Sequence, residues 1–348
     1  MKKSIFFYGP PHMDLYKDIC QEMETLGYEV DYMEEMKFPE DPYNLRGKTN
    51  KLPNRDSLLS DFYNKIKETW INLLETTYTK KYDYFFVLDG QSIHPCVFQI
   101  LRERNPLIKC VNYLFDTSKI VYEFYHNYKY YDSVFSFDSE ECKTYNVNYL
   151  PIYWTKPQSN QNIEMFDIFG MGWCLRSRYL LFKYLDIFSR KNQLKTYLRL
   201  YIPSRPNSTL RYTLRYIKNY MMGKKEVFPP SFLHSEMLTT ESMPPSLFRK
   251  YILNSKIVVD TCAEGQIGMT ARFMWALGAE KKIITNNQNV KNCSFYIPEQ
   301  IFIVDSSGRN IDKESLEKFL LTDFEMSKSI RKIVENYRID NWLKTLLS

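Results

Sequence analysis

Residues 256–287 read KIVVDTCAEGQIGMTARFMWALGAEKKIITNN, and this stretch decides the fold. The apolar run Lys256–Asp260 predicts a strand and the small-residue segment Thr261–Gly268 a loop. Met269–Leu277 predicts a short helix closed by Gly278, and Lys282–Asn286 a second strand. A βαβ unit of this kind brings the bare amides of the helix start to the carboxyl edge of a parallel sheet. Open α/β sheets bind ligands at that edge, and a helix start favours an anion such as phosphate. The unit therefore implies a nucleotide or phosphosugar site. Gly268 permits close backbone approach, Met269 opens the helix, Thr270 can donate to a phosphate oxygen, and Arg272 can grip one bidentately. The plainer alternative is an ordinary helix cap beside an exposed arginine.

Outward from that unit, strand and helix patterns alternate along the whole chain. The first half predicts strand Ser4–Tyr8, helix His12–Leu26 and strand Glu29–Met33. A polar loop (Lys37–Asn54) then leads to helix Ser57–Thr77, strand Tyr84–Leu88 and helix His94–Arg104. Strand Lys109–Phe115, strand Ser133–Phe137 and helix Ser139–Tyr145 complete this half. Short apolar runs separated by helices imply a parallel sheet covered on both faces. Prolines and polar residues in Pro151–Asn162 break the rhythm. A second set follows: strand Met165–Met171, helix Arg176–Ser189, strand Thr196–Ile202, helix Leu210–Tyr220 and helix Ser246–Leu253. After the quoted unit come strand Ile301–Val304 and two helices, the last from about Met326 to Leu346. The expected fold class is α/β, with two doubly wound Rossmann-like domains in tandem and a cleft between them. The first spans 1–152 together with a terminal helix of about 335–348 crossing back, and the second spans 163–334.

At 348 residues the chain is long enough for two cores, and 44% hydrophobic with 25% charged residues is a folded, non-fibrous composition. Seven dispersed cysteines, odd in number and without a C-x-x-C pair, argue against a disulfide framework or zinc site and fit a reducing compartment. The opening MKKSIFFYG is too short an apolar run for a signal peptide, and no uncharged run is long enough to span a membrane. These features read as cytoplasmic. Net charge is only +6, yet Arg176–Lys225 holds thirteen Lys and Arg against the single acid Asp186. Such a field attracts phosphate, nucleic acid or anionic lipid, the bland reading being a solvated helix face.

The two Rossmann-like halves resemble a GT-B glycosyltransferase. More narrowly, 256–304 is similar to bacterial transferases of lipopolysaccharide and capsular polysaccharide assembly. The residues that carry this are Gln266, Gly268, Thr270, Arg272, Ala276-Leu277-Gly278-Ala279, Lys281-Lys282, Ile284-Thr285-Asn286, Ser294-Phe295-Tyr296 and Ile301–Asp305. Tyr113-Leu114-Phe115-Asp116, Phe135-Ser136-Phe137-Asp138 and Leu150-Pro151 echo the same group. The resemblance implies a transfer from a nucleotide-sugar donor, bound by the second domain, to a glycan or lipid-linked acceptor. The donor is a co-substrate, and no other cofactor is implied. The donor set is Gly172, Arg176, Ser177, Gln266, Gly268, Met269, Thr270 and Arg272. One departure stands out. Many GT-B enzymes carry two glutamates eight positions apart, the second binding the donor ribose. Alignment on Ala276-Leu277-Gly278 puts Ile267 and Trp275 at those places, and counting from Glu264 lands on Arg272. Indole only donates hydrogen bonds, so the ribose is held differently or activity has been lost.

A transfer needs a general base on the first domain's side. Asp116 fits by position and by resemblance, and His12 and His94 also fall at carboxyl edges, where each could instead cap a helix. No two aspartates are separated by one residue, so no metal is expected; Arg272 and neighbouring cations would neutralise the diphosphate. Tyr122, Tyr125, Tyr128, Tyr130 and Tyr131 could stack sugars or form half-buried surface, and Trp342 is expected to pack on the first domain. The basic stretch adds an expected peripheral contact with an anionic inner membrane face. Two other classes remain open on sequence alone: a non-catalytic GT-B-like protein binding a glycan or partner, and a nucleic-acid binder, disfavoured because the basic residues sit inside a βαβ pattern.

Overall fold

The computed structural model describes residues 2–37, 55–116, 121, 124–156, 164–205, 208–223, 228–262, 267–305 and 311–348. Two compact units emerge: unit 1 is Met1–Pro151 with Ile339–Ser348, and unit 2 is Ile152–Arg338.

Unit 1 is built on strands β1 (Ser4–Gly9), β2 (Glu29–Glu34), β3 (Tyr84–Leu88), β4 (Lys109–Leu114), β5 (Ser133–Ser136) and β6 (Asn148–Tyr149). They form one sheet in the order β2-β1-β3-β4-β5-β6, with every pairing parallel. Its helices are α1 (Leu15–Thr25), α2 (Arg55–Thr76), α3 (Cys96–Arg104), α4 (Phe124–Asn127), α5 (Ser139–Tyr145) and, from the end of the chain, α12 (Ile339–Leu346). Strand β3 is apolar throughout and all of it is buried, as a central strand covered on both faces requires. On one face Phe6, Tyr82 and Phe85 pack with Trp70 of α2 and Phe98 of α3. Trp342 of α12 is fully buried, edge-on to Tyr113 at 4.8 Å and to Phe86 at 6.2 Å. Truncating so large an anchor to alanine costs about 3–5 kcal/mol.

Unit 2 repeats the plan with β7 (Phe166–Trp173), β8 (Thr196–Tyr201), β9 (Leu238–Thr239), β10 (Ser255–Asp260), β11 (Lys282–Thr285) and β12 (Ile301–Ile303). The order is β12-β11-β10-β7-β8-β9, again all parallel. Helices α6 (Arg176–Lys191), α7 (Thr209–Met221), α8 (Pro245–Leu253), α9 (Ala271–Gly278), α10 (Lys313–Leu321) and α11 (Lys328–Glu335) surround it. The two doubly wound α/β domains expected from the sequence are therefore present.

Three local differences have physical causes. The helix expected from His12 begins at Leu15, because Met13 and Asp14 take left-handed backbone (φ 53° and 57°) that a helix cannot continue through. The helix expected over 326–346 is broken: the Tyr337 carbonyl accepts from the Trp154 amide (3.1 Å) and Arg338 pairs with Trp154 as a β-bridge. β6 and β9 are two-residue edge strands in segments that read as loops.

Candidate functional sites at the two sheet edges

In each sheet the chain winds outward in both directions from one pair of neighbouring strands, and the crevice beyond their carboxyl ends is the place such folds bind ligands. In unit 2 that pair is β7 and β10. β10 ends on Asp260, which is buried. Two arginines reach its neighbourhood. Arg272, in the first turn of α9, places Nε 3.5 Å from Asp260 Oδ1. Arg178, in the first turn of α6, bridges the two strand ends: Nη1 donates to the Trp173 carbonyl (2.5 Å), Nε to Thr261 Oγ1 (2.5 Å), and Nη2 to the Thr261 carbonyl. Burial lowers the Arg178 pKa to about 9; the Arg272 charge adds to the depression and Asp260 opposes it. Two guanidiniums thus lie in the field of one carboxylate in a poorly solvated place, leaving surplus positive charge that an anion would neutralise. Among the described residues the buried Arg272 Nε has no acceptor at hydrogen-bond geometry, and Nη1 makes a long contact with the Val259 carbonyl (3.4 Å).

The helix starts beside this cluster differ from each other. Thr270 caps α9 itself, its hydroxyl accepting from the Phe273 amide (3.1 Å) and donating to Asp260 Oδ1 (2.8 Å). In this arrangement its hydroxyl proton points to Asp260. Met269 does not open the helix, which begins two residues later; it is buried, with its sulfur against Asn287. Gly268 is buried and its carbonyl accepts from Asn287 Nδ2 (3.3 Å). By contrast, α6 starts at Leu175 with no side-chain cap, and its first backbone bond is Tyr179 to the Leu175 carbonyl (2.9 Å). The first amides of a helix point out of its start, and here they belong to Arg176, Ser177 and Arg178. Gly172, at the end of β7, carries the Arg178 guanidinium against its α-carbon. Gly172, Arg176, Ser177 and Arg272 are thus brought to one crevice, Thr270 acts from behind it, and Gln266 lies outside the described residues.

Two asparagines hold the loop between β10 and α9. Asn286 pairs with Cys262, Oδ1 accepting its amide (2.8 Å) and Nδ2 donating to its carbonyl (3.1 Å). Asn287 Nδ2 donates to the Ile267 carbonyl (2.9 Å). Trp275, standing where the resemblance places a ribose-binding glutamate, is buried beneath the Arg249 guanidinium (4.6 Å to the ring centroid), and its Nε1 has no acceptor among the described residues. Gly278 is held bare by Trp154, whose ring would lie 2.2 Å from a β-carbon there.

In unit 1 the corresponding strand pair is β1 and β3. His12 follows β1, and its ring lies edge-on to Phe115 at 6.3 Å. Asp89 follows β3 and is 6% exposed, with Oδ1 accepting from the amides of Phe115 (2.7 Å) and Asp116 (2.9 Å). Burial, reinforced by the neighbouring Asp116, pushes the Asp89 carboxyl up to about 7 against the pull of those two amides. Asp116 is also raised, by burial, with His12 acting in the opposite direction. His12, Asp89 and Asp116 therefore form one group. His94 does not join it: its Nδ1 accepts from the Cys96 amide (3.1 Å) at the start of α3, and it lines a shallow depression with Lys67, Gln99 and Arg102. Burial lowers its pKa, as does Lys67. Left-handed residues cluster in the same loops, at Met13, Asp14, Asp89 and Ser92. Each costs on the order of 1 kcal/mol, a pattern typical of functional edges. Tyr130 and Tyr131 pack on Phe98 (5.4 and 4.9 Å), Tyr128 is exposed, and the side chains of Tyr122 and Tyr125 lie outside the described residues.

Asp89 and Asp260 are residues that sequence reasoning passed over, and Arg178 stood out only as part of the Arg176–Arg178 turn after β7. One signal was available: both aspartates end an otherwise apolar strand (YFFVLD, KIVVD), and a carboxylate there needs a partner. Among the described residues, no group of three or more His, Cys, Asp or Glu is placed to hold a metal ion. No helix among them is long and apolar enough to cross a membrane.

No family model and no curated protein matches the chain. Solved structures do match. An α,α-trehalose-phosphate synthase (UDP-forming) from Burkholderia vietnamiensis superposes with a TM-score of 0.56 at 10% identity, covering 100% of this chain and 96% of the other. The α,α-trehalose 6-phosphate synthase of Burkholderia multivorans gives 0.55 at 10% identity, with 100% and 98% covered. The sucrose-phosphate synthase of Thermosynechococcus elongatus gives 0.53 at 11% identity, with 99% and 97% covered. The chain has the GT-B glycosyltransferase fold.

Proposed function

We propose that this protein is a glycosyltransferase that moves a sugar from a nucleotide-sugar to a hydroxyl of a glycan or lipid-linked acceptor. The observation that carries the proposal is the Arg178–Asp260–Arg272 cluster, with its excess positive charge at the β7/β10 crevice. A nucleoside diphosphate is the leaving group of such a transfer, and preorganised cations stabilise the charge it gathers as the glycosidic bond breaks. Arg272 and the first amides of α6 would take the phosphate oxygens, while Arg178, held by Thr261 and Trp173, shapes the crevice and supplies field. In this reading guanidinium charge does the work for which other transferases use a metal.

In unit 1, Asp116 takes the acceptor's proton as its oxygen bonds to the anomeric carbon. Its carboxyl is exposed and its pKa raised, both of which suit a general base. Asp89 positions it through the Asp116 amide, and His12 tunes it. The similarity of 256–304 to lipopolysaccharide and capsule transferases supports surface-polysaccharide assembly as the setting. Seven free cysteines fit a cytoplasmic site. The test is donor hydrolysis: nucleotide-sugars are screened for release of nucleoside diphosphate, with Asp116→Asn and Arg272→Gln as controls. Turnover of one donor that both substitutions depress supports the proposal, and turnover of none contradicts it.

A further inference from the structure

Helix α7 turns an apolar stripe outward. Leu210, Leu214, Ile217 and Met221 recur at helical spacing on one line and are 71%, 59%, 47% and 81% exposed. Arg211, Arg215 and Lys218, all exposed, run beside that line one residue on. The opposite side holds the helix to unit 2: Tyr212 and Tyr216 are half-buried, and the Tyr212 hydroxyl donates to the Phe228 carbonyl (3.2 Å). No residue of α7 is buried, so its amphipathicity is not directed at the core of its own unit. A run of large aliphatic side chains pointed at water is a surface awaiting a partner.

We propose that α7 is an interfacial helix that seats unit 2 on an anionic lipid bilayer. An aliphatic stripe with a cationic flank and low overall hydrophobicity is the composition that lies in the headgroup plane. The charge is one-sided: Thr209–Lys225 contains five Lys and Arg and no acid. A second copy docked through the same face by two-fold symmetry would set that basic flank against itself. Nucleic acid would want aromatic stacking where this helix offers leucine, isoleucine and methionine. The Met221 end is followed by Met222, also exposed, and in sequence by Lys224 and Lys225, so the apolar and cationic character continues past the helix. The surface is independent of the crevice at β7 and β10; nucleoside-diphosphate titration reports on that site separately, so either reading can fail alone.

The experiment is flotation of the full chain with vesicles of phosphatidylcholine alone and of equal parts phosphatidylcholine and phosphatidylglycerol. The expected result is binding to the mixed vesicles only. Each Lys or Arg near an anionic surface is worth about a fivefold change in affinity, so Arg211→Glu/Arg215→Glu/Lys218→Glu should bind at least about a hundredfold more weakly. Leu214→Asp/Ile217→Asp should also abolish flotation while keeping the wild-type thermal melt, since neither side chain is buried. Equal binding to neutral vesicles, or undiminished binding by both variants, overturns the proposal. So does absence of binding accompanied by a concentration-dependent dimer that Leu214→Asp/Ile217→Asp dissolves.

Discussion

The Arg178 guanidinium rests on the α-carbon of Gly172 so closely that a β-carbon there would lie 2.4 Å from Nη1 and 2.8 Å from Cζ. Gly172 serves the crevice by making room for a buried cation. Gly172→Ala must push Arg178 off Thr261 and Trp173, and should lower stability by about 1–3 kcal/mol in urea unfolding.

Asp260 pairs with Arg272, offsets the charge of nearby Arg178 and also accepts from Thr270. Asp260→Asn keeps the shape and removes the charge, leaving both guanidiniums without a counter-ion. A loss of about 3–5 kcal/mol is expected. Pyrophosphate should restore part of it, read as a larger rise in melting temperature for the variant than for wild type.

Asp89 sets a pH dependence of known sign. The folded protein holds this proton up to about pH 7, whereas the unfolded chain releases it near pH 4. Its stabilising contribution is full below about pH 4 and lost as pH rises through 7, at about 1.4 kcal/mol per unit in the steepest range. Asp89→Asn, which can still accept from Phe115 and Asp116, should therefore be more stable than wild type at pH 8, and the advantage should vanish toward pH 4. Chemical unfolding at both pH values checks this.

His12 and Asp116 can be separated kinetically. Asp116→Asn should reduce kcat by about 10²–10⁴-fold. The His12 charge holds the Asp116 pKa down, so His12→Ala should move the acid limb of the pH–rate profile upward. An unmoved limb would remove His12 from the group.

The fold was legible where local chemistry decides it. Tyr84–Leu88 is an uninterrupted apolar run, and Ser139–Tyr145 follows Asp138, which caps it through the Glu140 and Glu141 amides; both have the ends that the sequence predicts. The break at Tyr337–Arg338 was not legible, because it answers to Trp154 far back in the chain. The sites divide in the same way. Gly172, Arg176, Ser177 and Arg272 stand out as glycines and cations at strand-to-helix turns. Arg178 sits in the same turn, but its importance comes from Thr261, 83 residues away, which no spacing rule reports. The bond from Thr270 to Asp260 was not legible either, because spacing alone does not bring a hydroxyl to a carboxylate ten residues back.

Isothermal titration with the common nucleoside diphosphates, comparing wild type with Arg272→Gln, addresses the surplus charge at the β7/β10 crevice most directly. The expected result is that at least one nucleoside diphosphate binds, that pyrophosphate competes with it, and that Arg272→Gln weakens binding about tenfold or more, as loss of a charged hydrogen bond should. Failure of all of them to bind wild type, or equal binding by the variant, would contradict it.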